Sequence, residues 1–253
     1  MRSIIAVMTL VLMLLSTPSI HAQKTKKSGG KNPYVNEKFT AKDGTSIEYK
    51  IMAPKTIEDG RKYPLILALH GRGGSTAAAA KLASNELREK FPCFVMVPES
   101  TKEGNWVQSP RRAKKKKSSK AMLPAALEAL DALIKKHPID TNRIYVTGQS
   151  MGGVGTFGAI SLRPKMFAAA IPVAGGWDPA EADKLKTIPI WVFHGENDKV
   201  VPTQYSQDMV AALKEAGGSP KYTEFKGVGH SSWGRTYDSS DTWDWLFKQK
   251  KNQ

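Results

Sequence analysis

Cysteine is nearly absent from this chain of 253 residues: Cys93 stands alone, so no intrachain disulfide is possible. The fold must rest on a hydrophobic core, which a domain of this size can supply without staples. Cys93 heads the apolar run Phe94-Val95-Met96-Val97, so it reads as a buried structural thiol rather than a nucleophile. Histidine is scarce as well, five in all, with no His-x-x-x-His pair and no Cys/His cluster. That leaves no pattern for a metal site, and neither metal nor other cofactor is expected. An apolar run of the roughly 20 residues that a spanning helix needs is also missing. The run Ile4–Leu15 is too short, and with Arg2 before it and Ser16-Thr17-Pro18-Ser19-Ile20-His21-Ala22 after it it reads as a secretory signal peptide over residues 1–22. A retained anchor is the alternative; a lipoprotein anchor is not, since no Cys lies near the cleavage point. No membrane span is expected after cleavage, and the protein should be periplasmic or secreted.

Acidic residues are few, 23 against 38 Lys and Arg, for a net charge of +15. Much of the excess is local, in Lys24, Lys26, Lys27 and Lys31 and in the tract Arg111–Lys120. No nucleic-acid reader motif accompanies it, so no nucleic acid is expected as partner. The basic tract is expected to contact anionic polymers instead.

Residues 23–34 read as a disordered basic leader, and residues 35–250 as one domain. Within it, Asn36–Thr40 and Thr45–Ala53 flank Lys42-Asp43-Gly44 as a β-hairpin. Pro64–Leu69 is apolar throughout, as in a strand buried on both faces of a parallel sheet. Helical stretches over 76–90, 121–136, 203–216 and 238–249, and one after Ser150, alternate with strands at 94–97, 143–147, 167–173, 188–193 and 222–225. This alternation predicts an α/β fold with a mostly parallel central sheet, an antiparallel N-terminal hairpin and helices on both faces.

The most informative local sequence is Ile144-Tyr145-Val146-Thr147-Gly148-Gln149-Ser150-Met151-Gly152-Gly153. Gly-x-Ser-x-Gly between an apolar strand and a helix-compatible stretch is the pattern of a nucleophile elbow, in which Ser150 sits on a sharp strand-to-helix turn. The helix N-terminus adds positive potential beside the hydroxyl. The acid and base of such a site follow the serine along the chain. Of the two later histidines, His230 in Gly229-His230-Ser231-Ser232-Trp233 lies between the last strand and the last helix and is the expected base. His194, at a strand end, reads as a structural residue bonded to nearby backbone. In His194-Gly195-Glu196-Asn197-Asp198, Asp198 and Glu196 compete as the acid, and Asp198 fits the spacing better. Upstream, His70-Gly71-Arg72-Gly73-Gly74 follows the first buried strand, where the backbone N–H of Arg72, with that of Met151, would form an oxyanion hole. His70 itself reads as structural.

These four motifs, in this order, resemble bacterial α/β-hydrolase esterases: secreted carboxylesterases, feruloyl esterases and polyhydroxybutyrate-depolymerase-like proteins. The resemblance covers about residues 35–250 and implies a single-domain α/β-hydrolase fold, a Ser150–Asp198–His230 triad and ester hydrolysis through an acyl-enzyme. The tract Arg111–Lys120 departs from that pattern. Trp106, Trp177 and Trp233 fall on loops after predicted strands and, with Gln149, are expected to contact substrate, a small-molecule or polysaccharide-linked ester, feruloyl or acetyl. The lack of a long apolar lid segment argues against a lipase. A serine peptidase of the prolyl-oligopeptidase kind is the alternative enzyme. A catalytically silent glycan-binding protein is the alternative of another class.

Overall fold

The computed structural model describes residues 32–74, 76–101, 104–108 and 120–251. The expected signal peptide, the leader up to residue 31 and the basic tract, save Lys120, lie outside the described residues. Eight strands form one sheet: β1 (Val35–Thr40), β2 (Ser46–Met52), β3 (Tyr63–Leu69), β4 (Phe94–Pro98), β5 (Ile139–Gln149), β6 (Ala169–Val173), β7 (Trp191–Gly195) and β8 (Lys221–Phe225). Their spatial order is β1-β2-β4-β3-β5-β6-β7-β8. The first two neighbour pairs are antiparallel and all the others parallel. The hairpin and mostly parallel sheet read from the sequence are both present.

Side-chain alternation along the strands divides the core. Leu65, Leu67 and Leu69 of β3, with Ile144 and Val146 of β5, face one layer. That layer holds α3 (Leu123–Lys136), α4 (Met151–Leu162) and α6 (Gln204–Glu215). Ile66, Ala68 and Tyr145 point the other way, into α1 (Ala77–Leu82), α2 (Asn85–Lys90) and α8 (Ser240–Lys248). Period-two alternation puts successive residues on opposite faces, which is why a strand covered on both sides has no polar position left. Tyr34 ties the start of the domain to this second layer, its hydroxyl donating to the Ala79 carbonyl at 2.8 Å. The folded unit thus begins ahead of residue 35.

One expected helix is broken in the structure. The stretch 76–90 divides at Ala83-Ser84, because the Ser84 hydroxyl accepts the Leu87 N–H at 3.3 Å and starts α2 afresh. The closing helix, expected over 238–249, is present as α8, and a short helix that was not foreseen, α7 (Trp233–Asp238), precedes it across an extended Ser239. There Thr242 Oγ1 donates to the Thr236 carbonyl at 2.7 Å and Trp243 Nε1 to the Tyr237 carbonyl at 2.9 Å. Side chains thereby satisfy carbonyls that a continuous helix would have bonded. A 3-10 turn at Pro179–Glu181 and the short α5 (Ala182–Leu185) were not foreseen. Asp178 caps that turn through the Ala180 N–H at 3.0 Å, followed by Pro at the first position. No helix of the described residues is long and apolar enough to cross a membrane.

Candidate active site

Four loops meet at the C-terminal edge of the parallel strands, the edge at which open α/β sheets bind ligands. They follow β3, β5, β7 and β8 and carry Gly71–Gly74, Ser150, Asp198 and His230. Ser150 lies between β5 and α4 with φ 55° and ψ −116°, a left-handed conformation that costs a non-glycine residue of order 1–3 kcal/mol. Close packing holds it there. A Cβ on Gly148 would lie 2.5 Å from the Gly152 carbonyl oxygen, and one on Gly152 only 2.1 Å from that of Leu69. Both outer glycines of the motif are therefore needed for backbone clearance. The Ser150 N–H donates to the Val173 carbonyl at 2.9 Å, fixing the turn to β6.

His230 reaches the serine with Nε2 2.9 Å from Ser150 Oγ. Its Nδ1 lies 2.7 Å from Asp198 Oδ2. The other carboxylate oxygen, Oδ1, accepts the N–H groups of Val200 at 2.8 Å and Val201 at 2.9 Å. Burial by itself pushes the Asp198 carboxyl upward, but the hydrogen bonds from His230, Val201 and Val200 outweigh it. The group is held below the usual carboxylate range. It is thus an anion at neutral pH, facing the His230 imidazole. Glu196, the competing carboxylate, is exposed and instead accepts the Gly227 N–H at 2.7 Å. That bond, with Asn197 N–H to the Val228 carbonyl at 2.8 Å, zips the loop after β7 to the loop bearing His230. Gly195 permits the contact, since a Cβ there would meet the Gly229 carbonyl oxygen at 2.2 Å.

The loop after β3 runs against the serine: the Cβ position of Gly71 is 3.6 Å from Ser150 Cβ. Arg72 follows it in an exposed turn, its guanidinium donating to Asn105 Oδ1 at 3.3 Å. Met151 is the first residue of α4, so its N–H is one of those without an intrahelical acceptor. Met151 directly follows Ser150 in the chain, and Gly71, which precedes Arg72, packs against the Ser150 side chain. His70 is buried, with Nδ1 on the Gly71 carbonyl at 2.7 Å and Nε2 accepting the Ser100 N–H at 2.9 Å. It is the structural residue it was read to be, and burial lowers its imidazole below the ordinary range. Burial likewise pushes the Cys93 thiol up to about 12.

Three of the expected substrate contacts need correction. Trp106 is wholly buried, donates Nε1 to the His70 carbonyl at 2.9 Å and packs edge-on against the His70 ring. Trp177 is 6% exposed and donates to Glu181 Oε2 at 3.0 Å. Gln149 is buried, its side-chain carbonyl accepting the Ala77 N–H at 2.9 Å at the start of α1. All three are bonded to partners inside the protein. Trp233 alone stands at the site, half-buried and edge-on to His230 at 5.3 Å between ring centroids.

Sequence reading also missed what surrounds His194. This side chain is fully buried, with Nε2 3.0 Å from both Asp198 Oδ2 and the Val201 carbonyl, and Nδ1 2.7 Å from Ser206 Oγ. Burial lowers its imidazole below the ordinary range. The available signal was the spacing His194-x-x-x-Asp198, which brings a strand-end imidazole back onto the turn that follows it.

Comparison with known proteins agrees with this architecture. The chain is 23% identical over 250 residues to the bifunctional acetylxylan esterase/xylanase XynS20E of Neocallimastix patriciarum, an alignment covering 89% of this chain and 34% of that protein. It therefore spans about a third of that relative's length. It is 27% identical over 201 residues to the carboxylesterase SOBER1 of Arabidopsis thaliana, covering 70% of this chain and 88% of the relative. A solved structure, a thermostable esterase, superposes with a TM-score of 0.79 at 36% identity, covering 87% of this chain and 64% of that one. Residues 55–242 match the phospholipase/carboxylesterase family, and the chain belongs to that family of α/β-hydrolases.

Proposed function

We propose that the protein is an exported serine esterase that hydrolyses short acyl esters, acetyl above all, on a polysaccharide. The observation that carries the reading is the unbroken chain from Ser150 Oγ through His230 to Asp198, at 2.9 and 2.7 Å. In this mechanism His230 Nε2 takes the Ser150 proton as Oγ attacks the ester carbonyl. The backbone N–H groups of Arg72 and Met151 receive the oxyanion. Collapse of the tetrahedral intermediate breaks the bond to the alcohol oxygen, which leaves with the proton from His230. Water, deprotonated by His230, then attacks the acyl-enzyme and releases the acid and Ser150. Asp198 holds the imidazole tautomer and stabilises the imidazolium.

The acetyl preference is favoured by the relative named for acetylxylan ester cleavage. Burial of Trp106 and Trp177 removes two of the three rings that would have stacked on a feruloyl group. Trp233 keeps a feruloyl substrate as the second reading, since one ring does stand beside His230. The basic tract Arg111–Lys120 would draw an anionic polymer toward the protein.

The test is an assay of the full chain and of Ser150→Ala against p-nitrophenyl acetate, p-nitrophenyl butyrate and methyl ferulate. Turnover by the wild type with a loss of about 10⁴-fold or more in the variant supports the reading. An acetate rate well above the ferulate rate supports the acetyl preference. Equal inactivity of both proteins on all three esters refutes it.

A further inference from the structure

Asp198 Oδ2 serves two imidazoles, and only one of them touches Ser150. His230 Nδ1 lies 2.7 Å from this oxygen on the side of the serine, and His194 Nε2 lies 3.0 Å from it on the side of the core. Both the His194 and the Asp198 side chains are completely shielded from solvent. Donor and acceptor accounting fixes the state of His194 Nε2. Its two neighbours, the Asp198 carboxylate and the Val201 carbonyl, are acceptors only, so the nitrogen must carry a proton. At the opposite side of the ring, Nδ1 meets the Ser206 hydroxyl, which also lies 2.6 Å from the Gly175 carbonyl. That hydroxyl has one proton and either taker can receive it. Whichever does, Nε2 remains a donor to Asp198.

We infer that His194 is a positioning residue, whose Nε2–H holds Oδ2 of Asp198 in the orientation that presents it to His230. The inference rests on the proposed roles of Ser150, Asp198 and His230. Its physical basis is the geometry of a carboxylate with four donors. Val200 and Val201 fix Oδ1, and His194 and His230 share Oδ2, so the plane of the group is set from three directions before His230 moves. Ser206, from α6, braces the His194 ring in turn. Without the His194 donor, a buried carboxylate oxygen would lose one of its two partners, and the remaining one would be the imidazole that has to carry protons during turnover. Hydrogen bonds to charged groups, with the cost of leaving one unmade, translate into about a 10- to 100-fold change in rate when they act in the transition state.

The experiment compares His194→Phe, which keeps a ring but offers no donor, with His194→Gln, whose amide N–H can reach the same oxygen. Each is made in the full chain, in the wild-type background and with Asp198→Ala, and kcat and KM are measured on p-nitrophenyl acetate. His194→Phe should lose about 10- to 100-fold in kcat with KM within about threefold of wild type. His194→Gln should recover most of that loss. In the Asp198→Ala background the Phe substitution should cost less than about twofold more, because residues acting as a unit are not additive. A packing role alone would lower the melting temperature, leave kcat of the folded enzyme intact and make the two His194 variants alike. Wild-type kcat in a folded His194→Phe, no rescue by Gln, or an undiminished loss in the Asp198→Ala background overturns the inference. Should His194→Phe not fold, ¹⁵N imidazole spectra of the wild type decide. A proton on His194 Nε2 is the expected result, and a proton on Nδ1 with a bare Nε2 overturns the assignment. Ser150→Ala is assayed alongside. If it matches an active wild type, the reading of Ser150 fails and takes the inference with it; if it is inactive while His194→Phe is unimpaired, the inference alone fails.

Discussion

Replacing Gly152 by Ala adds one methyl group at the tightest point of the serine turn. The new Cβ would sit 2.1 Å from the Leu69 carbonyl oxygen, 2.7 Å from its carbon and 2.9 Å from the His70 oxygen. All three are backbone atoms, so no side chain can rotate away. Real Cβ contacts essentially never fall below 3.0 Å, leaving a deficit of about 0.9 Å to be made up by moving the end of β3 away from α4. Forcing a methyl group into a packed site costs about 1–3 kcal/mol. For a domain of this length that corresponds to a melting temperature about 3–10 °C lower. The same displacement carries Gly71 and Arg72 away from Ser150, and a shift near 1 Å in a reacting group costs about 10²-fold in rate. Thermal unfolding followed by circular dichroism measures the first effect, and kcat/KM on p-nitrophenyl acetate the second. A Gly152→Ala protein with unchanged melting temperature and unchanged kcat/KM would refute the claim that the glycine is there for clearance.

Gly234→Ala is the counterpart: Gly234 lies in α7 with nothing within 4 Å of its Cβ position. It should raise stability by about 0.5–1 kcal/mol, seen as a higher urea midpoint. His70, His137 and His194 all have imidazoles lowered chiefly by burial. Below their ordinary value near pH 6.5, the unfolded chain binds protons that the native protein does not, so stability should fall as pH drops from about 7 to 5. Melting curves over that range check the direction, and a rise in stability would contradict it.

Why some of this could be read from residues alone, and some not, follows from what each signal encodes. Pro64–Leu69 announced a strand buried on both faces because no polar residue interrupts it. Gly148 and Gly152 announced a tight turn because few other reasons place two glycines around a serine after an apolar strand. His230 and Asp198 were legible from chain order and position, since the fold delivers loops after β7 and β8 to the same edge. Direction was not legible. Trp106 and Trp177 do lie near strand ends, but which way an indole points depends on whether the His70 carbonyl or Glu181 is within reach, and those partners are distant in sequence or on an unforeseen turn. The break at Ser84 and the short α7 were hidden for a similar reason: side chains that bond their own neighbourhood compete with helix continuation by a margin that periodicity does not carry. His194 was read as bonded to nearby backbone, and the Val201 carbonyl is such a partner. Its bond to Asp198 emerges only when the turn after β7 folds back.

The central claim is that Ser150 is the nucleophile. The most direct test is to treat the full chain with a fluorophosphonate, digest it and locate the adduct by mass spectrometry. The account expects one modified residue, Ser150, with esterase activity lost in proportion to labelling and no labelling after thermal unfolding. An adduct on another serine that abolishes activity, or full activity with Ser150 completely modified, would contradict it.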